Sequence, residues 1–398
     1  MLNEPLTFTF YWSIPNPGPM DFPDVPFTVD DFHPECESGN VWYNETTLKE
    51  CTPYGYDVKT ESVRVQQKIV EHLSLLLQIG VSGFRVDVAF AMWDRDLKTI
   101  FDQLPDIAIG GRPFIVHELY NNKPSWTYTD FGRGIEATYG QRLTKAIRKD
   151  KNLELLGSGS GLWRPQDDHP NQFSSEDAVA FLDNHNTHFD NILYFGDTEE
   201  ERLEYKLGIA FMLASDFGVK RTFSTFFGSG HPFDDGVYGS GVHFPDPREP
   251  FICGSEDDFF NSSLRNTYVC QHRWSIFRAM VTFANHVQDA PVEKIRSKSD
   301  AIAFSRGDAG FFAMGMGLEE LAFNHPGVLV KNYHLLLFFV PGMFETRLPD
   351  GEYCDLVSSC LQVEIIQFHL FQVVPVVGGM VDLRGRVDKT QPIIAIVA

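Results

Sequence analysis

The chain has 398 residues, of which 43% are hydrophobic and 22% charged, and a formal net charge of -21 at pH 7. This length allows two or three domains with a sizeable core. The negative charge argues against nucleic-acid binding, which needs a basic face to neutralise phosphates. The longest apolar stretches, at 333–344 and 368–381, are too short or too interrupted to span a bilayer, so no transmembrane segment is predicted.

The predicted elements begin after an irregular stretch at 14–39 that is rich in Pro, Gly and Asp. Apolar residues at helical spacing predict a helix over 59–79, which Gly80 ends, and a buried strand follows over 83–88. Further helices are predicted at 94–103, 140–148, 199–214 and 273–287, and further strands at 114–116, 178–182 and 219–223. This alternation predicts a parallel α/β sheet. After residue 300, strands at 302–305, 310–313 and 392–397 indicate a small all-β domain.

The six cysteines form three close pairs along the chain: Cys36 and Cys51, Cys253 and Cys270, and Cys354 and Cys360. None has the spacing of a zinc site, so three local disulfides in an oxidising compartment are favoured over free thiols. Glycosylation sequons at Asn44 and Asn261 fit that compartment. Residues 1–12 lack the basic and apolar regions of a signal peptide, so we expect either a different compartment or an N-terminus that lies upstream.

The segment 83–88 carries two charged residues on one face of a strand. Side chains alternate along a strand, so Arg85 and Asp87 share a face opposite Phe84 and Val86. A guanidinium beside a carboxylate favours its ionised form, which suits a nucleophile at the end of a barrel strand. A structural Arg–Asp pair is the alternative.

Two later strands also end in polar residues. Glu118 follows the apolar run 114–116. Apolar surroundings raise the pKa of a carboxyl group, as a general acid requires. A solvated loop glutamate is the alternative. After the strand at 178–182, Asn184 and Asn186 share one face, and Asp183 and His185 the other, if the strand continues that far. Taken alone, this second cluster indicates no more than a polar strand end.

Three segments of the chain match signature regions of one enzyme family, in the same order: Gly83-Phe84-Arg85-Val86-Asp87, Val116-His117-Glu118 and Phe181-Leu182-Asp183-Asn184-His185. They resemble the α-amylase glycoside hydrolases, most closely the chloride-dependent animal branch of that family. The resemblance covers most of residues 20–310, with patches beyond. It implies an α/β fold: a partial TIM (β/α)8-type barrel lacking its first strands, followed by a C-terminal all-β, Greek-key-like domain. The implied domains are a remnant of the small domain B (1–58), the rest of the barrel (59–290) and the C-terminal β domain (291–398).

The resemblance implies an activity, the endo-hydrolysis of α-1,4-glucosidic bonds in starch or glycogen with retention. Asp87 matches the nucleophile and Glu118 the acid/base, and these carboxyl groups lie about 5–5.5 Å apart in a retaining site. His185 matches a residue that hydrogen-bonds the sugar. Trp93 is placed near the sugar because it follows the nucleophile motif.

The resemblance also implies two inorganic cofactors, chloride and calcium. The three chloride ligands of the animal branch match Arg85, Asn184 and Arg221, and a chloride there helps to raise the pKa of the neighbouring acid. The calcium ligands match the carboxylate of Asp57 and the carbonyls of Lys49 and Ala91. Calcium prefers six to eight oxygens, so we expect an incomplete site without the family's Asn ligand, which precedes the start of this chain.

The chain departs from the family pattern at positions that bear on catalysis. Asn186 stands where a third carboxylate holds the substrate hydroxyls, and an amide lacks the charge that stabilises an oxocarbenium-like transition state. Ala91 stands where the animal enzymes have a His that faces the sugar. The first three barrel strands are expected before the start of this chain, and the segment 315–343 interrupts the resemblance.

Three hypotheses follow from this combination. The chain is a working or weakened α-amylase, or an amylase-like protein that binds glucan or another protein without catalysis, or an incomplete copy that folds poorly. We expect a secreted, monomeric protein. Its expected partner is an α-glucan polysaccharide or oligosaccharide, and neither nucleic acid nor membrane.

Overall fold

The structure is a computed structural model that describes residues 27–34, 45–51, 57–119, 126–158, 161–168, 172–184, 198–224, 253, 270–315, 343–357, 373–383 and 392–398. The chain divides into two compact units. Unit 1 comprises Met1–Glu136 and Asn171–Val179, and unit 2 comprises Ala137–Pro170 and Ala180–Ala398. Within the described ranges, no helix is both long enough and apolar enough to cross a membrane.

The α-helices are α1 (Glu45–Glu50), α2 (Val63–Gln78), α3 (Asp94–Asp102), α4 (Trp126–Thr129), α5 (Ala137–Thr144), α6 (Pro165–Asp168), α7 (Glu199–Ala214) and α8 (Ser275–Val287). The strands are β1 (Gly83–Val86), β2 (Phe114–His117), β3 (Arg133–Glu136), β4 (Gly157–Ser158), β5 (Gly161–Leu162), β6 (Ala178–Phe181), β7 (Val219–Arg221), β8 (Val292–Lys298), β9 (Ala301–Arg306), β10 (Gly310–Gly315), β11 (Met343–Glu345), β12 (Gly351–Cys354), β13 (Val373–Val377), β14 (Met380–Asp382) and β15 (Ile393–Val397).

The first large sheet has the strand order β1-β2-β3-β6-β7. Strands β1 and β2 pair in parallel, as do β2 and β3. Helices separate these strands along the chain, which is the arrangement of a (β/α) barrel. The predicted partial barrel is therefore confirmed.

The helix and strand bounds follow local signals closely in some places and less closely in others. Helix α7 has the predicted bounds because Thr198 and Glu201 form a capping box, in which each side chain accepts from the backbone N–H of the other. The helix predicted at 140–148 is instead α5 followed by a π-helical turn at Lys145–Lys149. Strand β3 was not predicted from the sequence, because its four residues include Gly134 and two charged side chains.

Unit 2 also contains two antiparallel sheets, ordered β15-β10-β9-β8 and β11-β14-β13-β12. Strands β9 and β10 are buried along their whole length. One apolar cluster contains side chains of both sheets, and in it the rings of Phe311 and Phe344 lie 5.8 Å apart between centroids. These sheets confirm the predicted C-terminal all-β domain. Most of the segment 315–343 lies outside the described residues.

The disulfide between Cys253 and Cys270 confirms one predicted pair. Cys51 and Cys354 are also disulfide-bonded. Their predicted partners, Cys36 and Cys360, lie outside the described residues, as do the sequons at Asn44 and Asn261, so these assignments stay predictions.

Candidate active site

The register of β1 and β2 brings Asp87 and Glu118 together. Val86 lies opposite His117 at the ends of the two strands, so the next residues of both strands leave the sheet side by side. The backbone N–H of Glu118 extends the ladder by donating to the carbonyl of Val86 at 2.9 Å. The two carboxyl groups are close enough that Asp87 raises the pKa of Glu118.

Arg85 joins the two carboxyl groups. Its Nη1 atom bonds Asp87, and its Nη2 atom lies 2.8 Å from Oε1 of Glu118. Arg85 and Asp87 therefore point to the same side, as strand alternation predicted. The third nitrogen of the guanidinium, Nε, is buried and has no hydrogen-bond partner within the described part of the chain.

The backbone turns sharply immediately after Asp87. Val88, predicted to continue the strand, has a φ of 48° in the left-handed region. A β-branched residue rarely adopts this conformation, and such strain is typical of functional sites. The turn directs the Val88 N–H to Oε2 of Glu118 at 2.8 Å. A valine carries no sequence signal for this conformation, so only the structure reveals the contact.

The surroundings of Glu118 raise its pKa above that of a solvated carboxyl group. Burial raises its pKa, whereas the charge of Arg85 and the N–H of Val88 lower it, and the neighbouring Asp87 raises it further. The balance is a raised pKa, because the carboxyl group is largely removed from water. Unit 1 thus contains a carboxyl group of raised pKa beside a second carboxyl group that is paired with a guanidinium.

Unit 2 contains the third polar segment that the sequence singled out. Asp183, just beyond β6, is buried and accepts a hydrogen bond from the hydroxyl of Tyr205 at 3.2 Å. Burial raises the pKa of Asp183 to about 7, against the opposing effects of Tyr205 and Arg221. Asn184 follows Asp183, and Arg221 ends β7. The sequence analysis did not identify Tyr205, whose only signal is a polar end on an otherwise apolar helix face.

His185 and Asn186 lie outside the described residues. Their positions relative to Asp87 and Glu118 therefore stay predictions.

No protein-family model matches the chain. The alpha-amylase-related protein of Drosophila dossoui is 31% identical over 359 residues, which cover 87% of this chain and 64% of that relative. The alpha-amylase of Tribolium castaneum is 32% identical over 358 residues, covering 85% of this chain and again 64% of the relative. The crystal structure of wild-type alpha-amylase I from Eisenia fetida covers 96% of this chain and 75% of that chain, with 26% identity and a TM-score of 0.69.

The chain is similar to the animal α-amylases in both sequence and fold. It spans 64% of the length of the two curated relatives. A variant of the Eisenia fetida amylase is known in complex with maltohexaose, and that structure has a TM-score of 0.68 to this chain.

Calcium is a cofactor that the amylase family implies, and Asp57 is its predicted carboxylate ligand. Oδ2 of Asp57 is already bonded to Nδ1 of His33 at 2.8 Å, and Nε2 of His33 lies 3.0 Å from Glu61. Within the described ranges, no group of three or more His, Cys, Asp or Glu side chains is arranged to hold a metal ion. The described side chains alone do not make a site of six to eight oxygens, so calcium at Asp57, with the carbonyls of Lys49 and Ala91, stays a prediction.

Trp93, the predicted sugar contact of this amylase homologue, lies among cationic side chains. The ammonium of Lys49 is 4.4 Å from the ring centroid, and the guanidinium carbon of Arg95 is 4.7 Å from it. The indole N–H donates to Glu50 at 3.2 Å. A sugar stacked on Trp93 would have to share the ring with both cations.

Proposed function

We propose that this chain is an α-amylase-like glycoside hydrolase that cleaves internal α-1,4-glucosidic bonds of starch or glycogen with retention of configuration. The observation that carries the proposal is that the guanidinium of Arg85 contacts both Asp87 and Glu118, and that the pKa of Glu118 is raised. A retaining site needs a nucleophilic carboxylate close to a carboxylic acid. The amylase relatives supply the substrate class.

In the first step, Glu118 donates its proton to the glycosidic oxygen while the carboxylate of Asp87 attacks the anomeric carbon. The bond between the anomeric carbon and the leaving oxygen breaks, and a covalent glycosyl-enzyme forms. In the second step, Glu118 takes a proton from water, whose oxygen attacks the same carbon and releases Asp87. The stereochemistry is inverted twice and so is retained.

Arg85 and Val88 act on Glu118 between these steps. After proton transfer Glu118 is an anion, and its two oxygens accept bonds from Arg85 Nη2 and the Val88 N–H, both at 2.8 Å. These donors stabilise the carboxylate, while burial favours return of the proton. Opposing influences of this kind suit a carboxyl group that acts first as an acid and then as a base.

We assign the chloride site to Arg85, Asn184 and Arg221 by resemblance to the animal branch. Nε of Arg85 is buried and has no partner among the described residues, so it is a donor that a bound anion could accept from. A bound chloride supplies negative charge that raises the pKa of the neighbouring acid. We also propose secretion as a monomer, in keeping with the Cys253–Cys270 disulfide.

Asn186 favours a second candidate function, a glucan-binding protein without turnover. The family carboxylate at that position stabilises positive charge in the transition state, which an amide does not. Loss of one such contact lowers the rate roughly 100- to 1,000-fold.

The test compares the wild-type chain, E118Q and N186D in hydrolysis of maltohexaose, with chloride and calcium present and cooperative unfolding checked for each protein. A hydrolase gives turnover that E118Q abolishes and N186D raises by roughly 100- to 1,000-fold. A binding protein gives a calorimetric maltohexaose isotherm but no turnover, even in N186D. If the folded chain neither binds nor cleaves maltohexaose, both functions are wrong.

A further inference from the structure

A cluster of charged side chains in unit 2 is not used by the proposed mechanism. Three cations, Arg164, Lys220 and Arg306, interact electrostatically with one another and with two carboxylates, Asp216 and Asp289. The cluster therefore contains one more positive charge than negative charge. An unbalanced, partly buried charge is costly unless a counter-ion is bound.

Arg306 is bonded mainly to backbone carbonyls. It is only 1% exposed. Its guanidinium donates to Ala214, Ser215, Gln288 and Ala290 at 2.7 to 3.0 Å. These bonds use four of the five N–H donors of the guanidinium, so Arg306 contributes mainly its charge to the cluster.

Arg164 and Lys220 each carry donors that have no partner among the described residues. Arg164 Nη2 bonds Asp216 at 2.7 Å, but Nη1 is buried and has no partner in the described part of the chain. The ammonium of Lys220 is half-buried, and among the described residues it makes neither a hydrogen bond nor an ion pair. Burial, followed by the charge of Arg306, lowers the pKa of Lys220 to about 8, with Arg164 adding to this effect and Asp216 and Asp289 opposing it.

We propose that Arg164 and Lys220 bind a small oxyanion of the phosphate or sulfate type. A tetrahedral oxyanion offers several acceptors at once. It can therefore accept hydrogen bonds from Nη1 of Arg164 and from the ammonium of Lys220 together. Its charge balances the excess cation of the cluster. Because the chain as a whole carries a charge of -21, binding depends on this local cluster and not on a general attraction for anions.

The test measures the melting temperature of the full chain at pH 7 in a constant, saturating chloride background, with either inorganic phosphate or further sodium chloride of equal ionic strength added. Phosphate at about five times its Kd should raise the Tm of the wild-type chain by about 1–2 °C in a saturable way. K220Q should lose this response. K151Q, which changes an exposed lysine of the same unit, should keep it.

The response of the wild-type chain should also fall above pH 8, where Lys220 loses its proton. Equal melting temperatures of the wild-type chain in phosphate and chloride would overturn the proposal, as would a full phosphate response in K220Q. If K220Q does not unfold cooperatively, equilibrium dialysis of radiolabelled phosphate against the wild-type chain decides. Saturation at one phosphate per chain, displaced by sulfate, supports the site, and unsaturable uptake refutes it.

Discussion

Arg85 Nη2 lies 2.8 Å from Oε1 of Glu118. This positive charge lowers the pKa of Glu118, whereas burial raises it. Removing the charge in R85Q should therefore raise the pKa and keep Glu118 protonated to higher pH. We expect the basic limb of the kcat/KM profile to move to higher pH, measured with N186D as the parent and without added chloride.

R85K is the matched control, because it keeps the charge and should move the basic limb less than R85Q does. Both variants should also lose rate, since the guanidinium orients both carboxyl groups. A basic limb that stays in place or moves to lower pH in R85Q would show that Arg85 does not set the protonation of Glu118.

His117, next to Glu118 in β2, should make the protein sensitive to acid. Its ring is fully buried among Phe101, Tyr128 and Phe131, and neither ring nitrogen has a partner within the described ranges. Burial lowers its pKa from 6.5 to about 4. As pH falls from 6.5 to 4, His117 binds a proton in the unfolded chain but not in the folded chain. The free energy of unfolding should therefore fall by about 3 kcal/mol.

H117Q should remove this contribution, and its free energy of unfolding should fall less steeply between pH 6.5 and 4 in urea titrations. H286Q, at an exposed histidine of α8, is the control and should keep the wild-type slope. The prediction concerns the slope with pH, because a buried amide changes the stability at every pH. Equal slopes in H117Q and the wild-type chain would show that His117 does not titrate in this range.

Asp183 should oppose stability at neutral pH. Its carboxyl group is buried and its pKa is raised from 3.8 to about 7. As pH rises from 3.8 to 7, the unfolded chain ionises while the folded chain stays protonated, so stability is lost by up to about 4 kcal/mol. D183N should therefore be more stable than the wild-type chain at pH 8 but not at pH 4, while exposed D308N should match the wild-type chain at both.

Arg306 should be essential for the stability of unit 2. Its guanidinium binds the carbonyls at the C-terminal ends of α7 and α8, where helix carbonyls have no partner within the helix. R306M buries those carbonyls without donors, and we expect a loss of roughly 3–5 kcal/mol in the free energy of unfolding by urea. R306K keeps the charge but supplies fewer donors, so its free energy of unfolding should fall less than that of R306M. A loss under about 1 kcal/mol in R306M would contradict this account.

The candidate site was predictable from sequence wherever its geometry depends on neighbouring residues. Strand alternation over two positions places Arg85 and Asp87 on one face, and the ion pair confirms it. The capping box of Thr198 and Glu201 sets the start of α7 without help from distant residues. These patterns are determined by backbone periodicity and by hydrogen bonds within one turn, so they can be read from the chain itself.

Tertiary structure alone decided the contacts between residues that are far apart in sequence. The Val88 N–H reaches Glu118, 30 positions on, because packing holds a valine in a left-handed turn that its own preferences oppose. Arg306 reaches the carbonyl of Ala214 across 92 positions. Sequence by itself determined strands β1, β2 and β6, helix α7 and the face that carries the carboxylates, but not strand β3. The sequence did not show which buried N–H donors contact those carboxylates. These contacts depend on desolvation and packing, which act only after distant segments have come together.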